Sequence, residues 1–143
     1  EKEKCEEDAL RACDDVLRLD TENLDAAKLY ASLADKLLTP SDACQAYETL
    51  IRLAPENLQA TKRWAEIVCN LWDPPHAIAA LDRVLELDSD NIGVLIQQGN
   101  LYLEDGSHDS ALSCARRVFD LDPGNEEALE IQEKVLERTR GEE

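Results

Sequence analysis

Matching residues recur at a spacing of 34 along the whole sequence, and this repeat limits the possible folds more than any other feature. A unit of this length cannot bury an apolar face by itself, so neighbouring units have to stack on one another. The sequence therefore predicts an array of similar units. The aligned columns are Asn23, Asn57, Asn91 and Asn125; Ala9, Ala43, Ala77 and Ala111; Leu19, Leu53, Leu87 and Leu121; and the apolar set Val16, Leu50, Val84 and Val118.

Each unit has the pattern of a helix, a turn and a second helix, most clearly between Ile92 and Asn125. Apolar and small residues at helical spacing predict the first helix, and an Asp-Gly pair at 105–106 predicts its end. A second stripe at helical spacing follows before Pro123. The first turn of a helix tolerates proline, so Pro74 and Pro75 predict a helix start. In the unit before, Ser41 is the expected N-cap.

Composition supports helices and excludes several classes of partner. The 143 residues suffice for one ordinary domain, and 43% are hydrophobic, which is enough for a core. Aromatic residues make up only 4%, while Ala and Leu dominate the apolar set, so helices are favoured over strands. Fifteen basic against 32 acidic residues give a net charge of −17. This charge argues against binding of nucleic acids or membrane surfaces, and no apolar run approaches the ~18 residues of a membrane span.

Cysteine usage points to a reducing, cytoplasmic location. The chain has five cysteines, an odd number, at irregular spacing and without a CxxC pair. This pattern indicates neither a disulfide framework nor a zinc site, so we expect small buried thiols. The sequence has no signal peptide and no methionine, which suggests a processed or excised piece of a longer chain.

The 34-residue helix–turn–helix unit resembles the tetratricopeptide repeat. The small residue of the family's first helix is matched by Ala31, Ala65 and Gly99, and the alanine of its second helix by Ala43, Ala77 and Ala111. The chain departs from the family where Ala27, Thr61 and Leu95 replace the usual tryptophan. The resemblance implies an all-α fold: an α-solenoid of antiparallel helix pairs, with about eight helices.

In this register residues 1–143 form a single array. The expected segments are 5–19 as the second helix of a truncated repeat, 24–57, 58–91 and 92–125 as repeats one to three, and 126–140 as a C-terminal capping helix. Ala9, Cys13 and Val16 would then lack a covering helix, so we expect the array to continue upstream. Glu133 in the small-residue column marks the capping helix, because a charge there opposes docking of a further helix.

The sequence contains no pattern typical of catalysis, a metal site or a cofactor. His76 and His108 stand in separate units without ligands at a suitable spacing. Nucleophile and phosphate-binding motifs are absent. Cys114 precedes Arg116 and Arg117, but neighbours in sequence do not establish an activated thiolate. We therefore predict a protein that is not an enzyme and needs no cofactor.

The family resemblance implies that first helices line a concave groove for a partner peptide or helix. The residues predicted to bind the partner are Lys28, Ser32, Lys62, Arg63, Glu66, Gln97 and Asn100. The groove of repeats one and two is locally basic in an acidic chain, which favours an acidic or mixed-charge partner. The alternative is that Lys28 and Lys62 only pair with Asp25, Asp35 and Glu66.

Three functions remain open on sequence alone. The first is a non-catalytic protein–protein interaction module that binds a peptide or helix in the groove. The others are a scaffold segment of a multi-subunit assembly and the regulatory arm of an enzyme encoded upstream. Binding of a heat-shock chaperone tail is disfavoured, since only Lys28 fits the carboxylate clamp of co-chaperone domains and Gly93 and Gln97 stand where its later cations belong.

Overall fold

A computed structural model of the chain describes residues 1–141, which contain eight α-helices and no strand. The helices are α1 (Lys2–Leu19), α2 (Leu24–Leu37), α3 (Pro40–Leu53), α4 (Leu58–Leu71), α5 (Pro74–Leu87), α6 (Ile92–Glu104), α7 (His108–Leu121) and α8 (Glu126–Gly141). The expectation of an all-α fold with about eight helices is confirmed. The first helix begins at Lys2 rather than at residue 5, and the last ends at Gly141 rather than at residue 140.

The recurring asparagines are helix N-caps. Each side-chain oxygen accepts a hydrogen bond from the backbone N–H three residues later, which satisfies a donor that the helix itself leaves unpaired. The bonds are Asn23 to Ala26 at 3.0 Å, Asn57 to Ala60 at 3.0 Å, Asn91 to Val94 at 3.1 Å and Asn125 to Ala128 at 2.9 Å. The strongest column of the sequence therefore marks the start of α2, α4, α6 and α8.

Proline begins two of the other helices, and one predicted cap is wrong. Pro74 starts α5, with Asp73 as its N-cap. In α3 the N-cap is Thr39 and not Ser41: the Thr39 hydroxyl accepts from the Asp42 N–H at 3.2 Å, and Pro40 takes the first helical position. Proline fits that position because its missing N–H has no helical partner there, so the cap has to precede it.

Contacts divide the chain into two compact units, Glu1–Leu71 and Trp72–Glu143. In the first unit, α1 packs on α2, α2 on α3 and α3 on α4. The core of this unit consists mostly of small residues: Ala27, Ala31, Ala34, Ala46, Leu50, Ile51 and Ala60. Val16 is 39% exposed, as expected for an uncovered face. Cys13 was also expected to be uncovered, but it is buried because α2 packs along α1.

In the second unit α5 packs on α6, α6 on α7, and α8 on both α6 and α7. Its core is built from larger side chains: Leu85, Leu95, Ile96, Leu103, Ala111, Ala115, Val118, Ala128, Ile131 and Val135. Gly99 lies in this core, and an added Cβ there would stand 3.4 Å from the Cys114 Cβ on α7. The absent side chain at 99 thus permits close approach of α6 and α7. Gly106, with φ of +79°, ends α6 in a left-handed turn that suits glycine.

Candidate functional site

Three of the predicted partner-binding residues line one cavity in the first unit. This groove cavity has a volume of about 340 Å³ and lies among α2, α3 and α4. Lys28 and Ser32 stand one helical turn apart on α2, and Arg63 projects from α4. The residues of the cavity that matter for its chemistry are Lys28, Ser32, Asp35, Tyr47, Gln59 and Arg63.

The local sequence explains how these side chains reach the cavity. In α2 the small residues Ala27, Ala31 and Ala34 are almost fully buried in the core. Lys28 and Ser32 lie on a different face of the same helix and are therefore exposed. On α4 the buried residues Ala60 and Thr61 likewise leave Arg63 exposed.

Asp35 is the centre of an ion-pair network beside the groove cavity. The Arg63 guanidinium donates to it twice, from Nε to Oδ2 at 2.7 Å and from Nη2 to Oδ1 at 2.8 Å. Arg63 Nη1 also donates to Glu66 Oε2 at 2.9 Å, and the Tyr47 hydroxyl donates to Asp35 Oδ2 at 3.1 Å. A planar guanidinium bound by two nitrogens to one carboxylate is a geometrically strong ion pair. The network ties α2, α3 and α4 together.

The pKa values of this network follow from its contacts. Hydrogen bonds from Arg63 lower the pKa of Asp35, although partial burial opposes the effect. Hydrogen bonds to Asp35 and Glu66 raise the pKa of Arg63. Burial, followed by the hydrogen bond to Asp35, raises the pKa of Tyr47 to about 12. The carboxylate, the guanidinium and the neutral phenol are therefore the stable forms near neutral pH.

These contacts leave a defined set of groups for a partner. Among residues 1–141, no hydrogen bond or ion pair is made by the side chains of Lys28, Ser32 and Gln59. Arg63 is different, because its charge is already balanced by Asp35 and Glu66. The sequence alternative named Lys28 and Lys62 as the internally paired cations. The structure instead pairs Arg63 with Asp35 and Glu66, and Lys28 keeps an unpaired ammonium at the cavity.

The remaining predicted residues lie elsewhere on the helices. Lys62 is half-buried and has an interaction partner. Glu66 is exposed and belongs to the Arg63 pair. Gln97 and Asn100 are exposed on α6 of the second unit. Tyr47 was missed on sequence grounds because it belongs to a second helix, where the family resemblance predicts no groove residue.

The thiols of Cys44 and Cys114 are buried, and His76 lies in the first turn of α5. Cys114 is 4% exposed, and burial raises its pKa even though Arg117 opposes the shift. Burial also raises the pKa of Cys44 to about 11, with Glu48 adding to the effect. His76 contacts Asp73, the N-cap of its own helix. In the described part of the chain no group of His, Cys, Asp and Glu side chains is arranged to hold a metal ion.

None of the helices between residues 1 and 141 is both long enough and apolar enough to cross a membrane.

Comparison with known proteins identifies the repeat and the fold. The tetratricopeptide-repeat family model matches residues 92–125. The crystal structure of MamA has a TM-score of 0.63 at 20% identity, covering 99% of this chain and 94% of MamA. YrrB, described as a TPR protein with an unusual peptide-binding site, has a TM-score of 0.66 at 24% identity, covering 95% of this chain and 79% of YrrB.

The TPR domain of OM64 from Arabidopsis is also similar, with a TM-score of 0.61 at 18% identity over 82% of this chain and 97% of that domain. At these identities the similarity shows the fold. No curated protein sequence matches the chain significantly. The chain thus has the helical solenoid fold that was assumed when the partner-binding residues were predicted.

Proposed function

We propose that this chain, in which residues 92–125 form a tetratricopeptide repeat and the helices adopt the fold of tetratricopeptide-repeat proteins, is a non-catalytic interaction module. Proteins of this family generally bind other proteins or peptides. Burial raises the pKa of the Cys114 thiol, which disfavours a role for this residue as a nucleophile.

The partner segment binds along α2 and α4 of the first unit, at the groove cavity. The observation that supports this site most directly is the unpaired ammonium of Lys28 beside the free hydroxyl of Ser32 and amide of Gln59. These groups suit a segment that presents a carboxylate together with backbone or side-chain hydrogen-bonding groups. YrrB offers a precedent within the fold, since it is described as having an unusual peptide-binding site.

Arg63 contributes to this site mainly by holding the helices in place rather than by contacting the partner. Its bonds to Asp35 and Glu66 fix the wall of the groove cavity, and they leave little charge for a partner. Lys28 is therefore the main cation for partner binding, and Ser32 and Gln59 add directional contacts. An acidic or mixed-charge segment fits this surface better than a basic one, because the unpaired ammonium of Lys28 attracts a carboxylate, whereas the rest of the chain, with its net charge of −17, repels one.

The test compares partner capture by the wild type and by two charge-matched double variants. In the groove variant, Lys28→Glu is combined with Ser32→Glu on α2. In the control, Arg116→Glu is combined with Ser113→Glu on the exposed surface of α7. We expect the groove variant to lose the proteins that the wild type and the control retain, and this loss to be mimicked by raised salt. Retention by the groove variant and loss by the control would contradict the groove site.

A scaffold role is the second candidate, and exposed apolar residues on α1 favour it. Leu19 is 91% exposed and Val16 is 39% exposed. Such residues are suited to a contact with another protein surface. Under this hypothesis Val16→Ser and Leu19→Ser would abolish assembly while the Lys28 and Ser32 changes leave it intact.

A further inference from the structure

A second cavity of the first unit shares no lining residue with the groove cavity. It lies among α1, α2 and α3 and has a volume of about 320 Å³, at the small end of the range typical of ligand sites. Its floor is apolar, because Ala27 and Ala46 line it and are only 1% and 5% exposed. We call it the α1–α3 cavity.

The repeat provides an internal comparison that shows why this space is open. Two repeat lengths later, Leu95 and Cys114 take the places of Ala27 and Ala46, and both are buried. The corresponding cavity of the second unit, which Cys114 lines, has a volume of only about 180 Å³. Smaller side chains at 27 and 46 thus leave an apolar space that the second unit fills.

In the second unit a side chain also reaches across the opening of the cavity and narrows it. The first unit has no such side chain. The Arg117 guanidinium of α7 donates from Nη2 to the Ser89 carbonyl oxygen at 3.1 Å. The corresponding residues of the first unit are Thr49 and Thr21, and both line the α1–α3 cavity. The Thr49 hydroxyl donates to the Gln45 carbonyl of its own helix at 3.2 Å, so no side chain from position 49 spans the opening.

The charge at the edge of the cavity is reversed between the two units. Arg18 and Arg52 line the α1–α3 cavity, whereas Glu86 and Asp120 hold the equivalent positions two repeats later. Arg18 pairs with Asp14 at 3.0 Å, but both side chains remain accessible to solvent. Arg52 is exposed and forms no ion pair within residues 1–141. Asp14 lines the cavity as well, so its charged lining consists of two guanidinium groups and one carboxylate and is positive on balance in an acidic protein.

We propose that the α1–α3 cavity binds a small aromatic carboxylate. The ring would rest on Ala27 and Ala46 beside the half-buried Tyr30 side chain, because aromatic rings pack favourably on one another. The carboxylate would accept hydrogen bonds from Arg52 and Arg18, since guanidinium groups bind carboxylates with two parallel N–H donors. The site is separate from the proposed partner-binding groove and does not depend on it.

The experiment titrates the ¹⁵N-labelled full chain with indole-3-propionate and follows the backbone amides by NMR. We expect saturable shifts at Ala27, Ala46 and Thr49, and none at the equivalent Leu95, Cys114 and Arg117. The neutral analogue tryptophol should bind about tenfold more weakly, because it lacks the charge that Arg52 and Arg18 recognise. Equal binding of the two compounds would overturn the proposal.

Two variants copy the second unit into the first. Ala27→Leu fills the apolar floor, and Arg52→Asp reverses the charge at an exposed position that leaves the core untouched. Each should weaken binding of indole-3-propionate by about tenfold or more, whereas Arg116→Asp on α7 should change nothing. If Ala27→Leu fails to fold, Arg52→Asp still decides the outcome.

Three further results would overturn the proposal. One is the absence of saturable shifts, and another is a set of shifts confined to the groove cavity around Lys28 and Arg63. The third is binding at this cavity of a short peptide that ends in tryptophan when indole-3-propionate does not bind, since the occupant would then be a protein segment rather than a small molecule.

Discussion

A Cβ atom added to Gly99 would stand 2.9 Å from Ile131 Cδ1, closer than side-chain carbons pack. The glycine lies on α6, the isoleucine on α8, and both are buried. Ile131 thus occupies the space that a side chain at position 99 would need. This contact explains why position 99 of the small-residue column is a glycine, whereas positions 31 and 65 are alanines.

Gly99→Leu should destabilise the protein by roughly 1–3 kcal/mol, because the larger side chain displaces Ile131 and crowds Cys114. Loss of a glycine from a helix interior acts in the opposite direction by about 1 kcal/mol, so the measured value is a net effect. Urea denaturation would measure it. Gly93→Leu is the control, since its Cβ would meet only the Asn91 Oδ1 at an ordinary 3.5 Å. A higher midpoint for Gly99→Leu than for wild type would contradict the packing described.

Asn91→Ala should lower the free energy of unfolding by about 1 kcal/mol. The change removes the acceptor for the Val94 N–H at the start of α6 and leaves that donor without its cap. Asn100→Ala, on the exposed surface of the same helix, serves as control because its side chain makes no hydrogen bond within residues 1–141. Equal effects of the two substitutions in urea denaturation would mean that the cap contributes nothing.

Asp35→Asn should destabilise the protein at neutral pH and lose this effect in acid. The pKa of Asp35 is lowered in the folded state, so its stabilising contribution is present above the ordinary aspartate pKa of about 3.9 and disappears as pH falls through the folded value. The wild-type advantage at pH 7 should be small, about 1 kcal/mol or less, since the network is partly exposed.

Unfolding of wild type and Asp35→Asn at pH 7, 5 and 3 would show this convergence. Asp120→Asn, an exposed residue of α7, provides the same chemical change outside the network. A wild-type advantage that grows between pH 7 and pH 3 would have the wrong sign for a lowered pKa.

Alkylation of the five cysteines should follow their burial. Cys5 is exposed and should react first, whereas Cys13, Cys44 and Cys114 are buried and have raised pKa values, that of Cys44 being about 11. Pulsed iodoacetamide at pH 8 followed by mass spectrometry would rank the sites. In denaturant all should react at similar rates. Labelling of Cys114 in the native protein as fast as Cys5 would mean that Arg117 activates its thiol.

The sequence predicted the helices well because their ends are marked by local chemistry. The asparagine column at a spacing of 34 fixed four helix starts, and each of these residues caps the helix it precedes. The one misplaced cap lies in a stretch with hydroxyls on both sides of Pro40. The preference of proline for the first helical position would have selected Thr39 over Ser41.

The candidate site could be predicted only in outline. The family resemblance predicts that Lys28, Ser32 and Arg63 face the groove, but it does not tell which carboxylate a guanidinium will contact. The Asp35–Arg63 pair joins residues of α2 and α4, and Tyr47 reaches the same carboxylate from α3. Such choices depend on side-chain reach between helices, which no single-helix pattern contains.

The α1–α3 cavity could be predicted even less from the sequence, because it depends on the tertiary packing of three helices. The repeat alignment places Ala27 opposite Leu95 and Ala46 opposite Cys114, yet substitution by a smaller residue does not itself show whether neighbours collapse into the space. Only the packing of the three helices shows that the volume stays open.

The alanine-rich core of the first unit has a consequence for the local opening of its helices. Alanines such as Ala31 and Ala34 bury less apolar surface than the leucine, isoleucine and valine side chains at the centre of the second unit. Backbone amides of α1–α4 should therefore exchange with deuterium through smaller opening energies than those of α6–α8. The groove cavity and the α1–α3 cavity both lie in the first unit. A ligand in either cavity would slow deuterium exchange of the surrounding amides, so that binding could be detected as a local decrease in exchange rate.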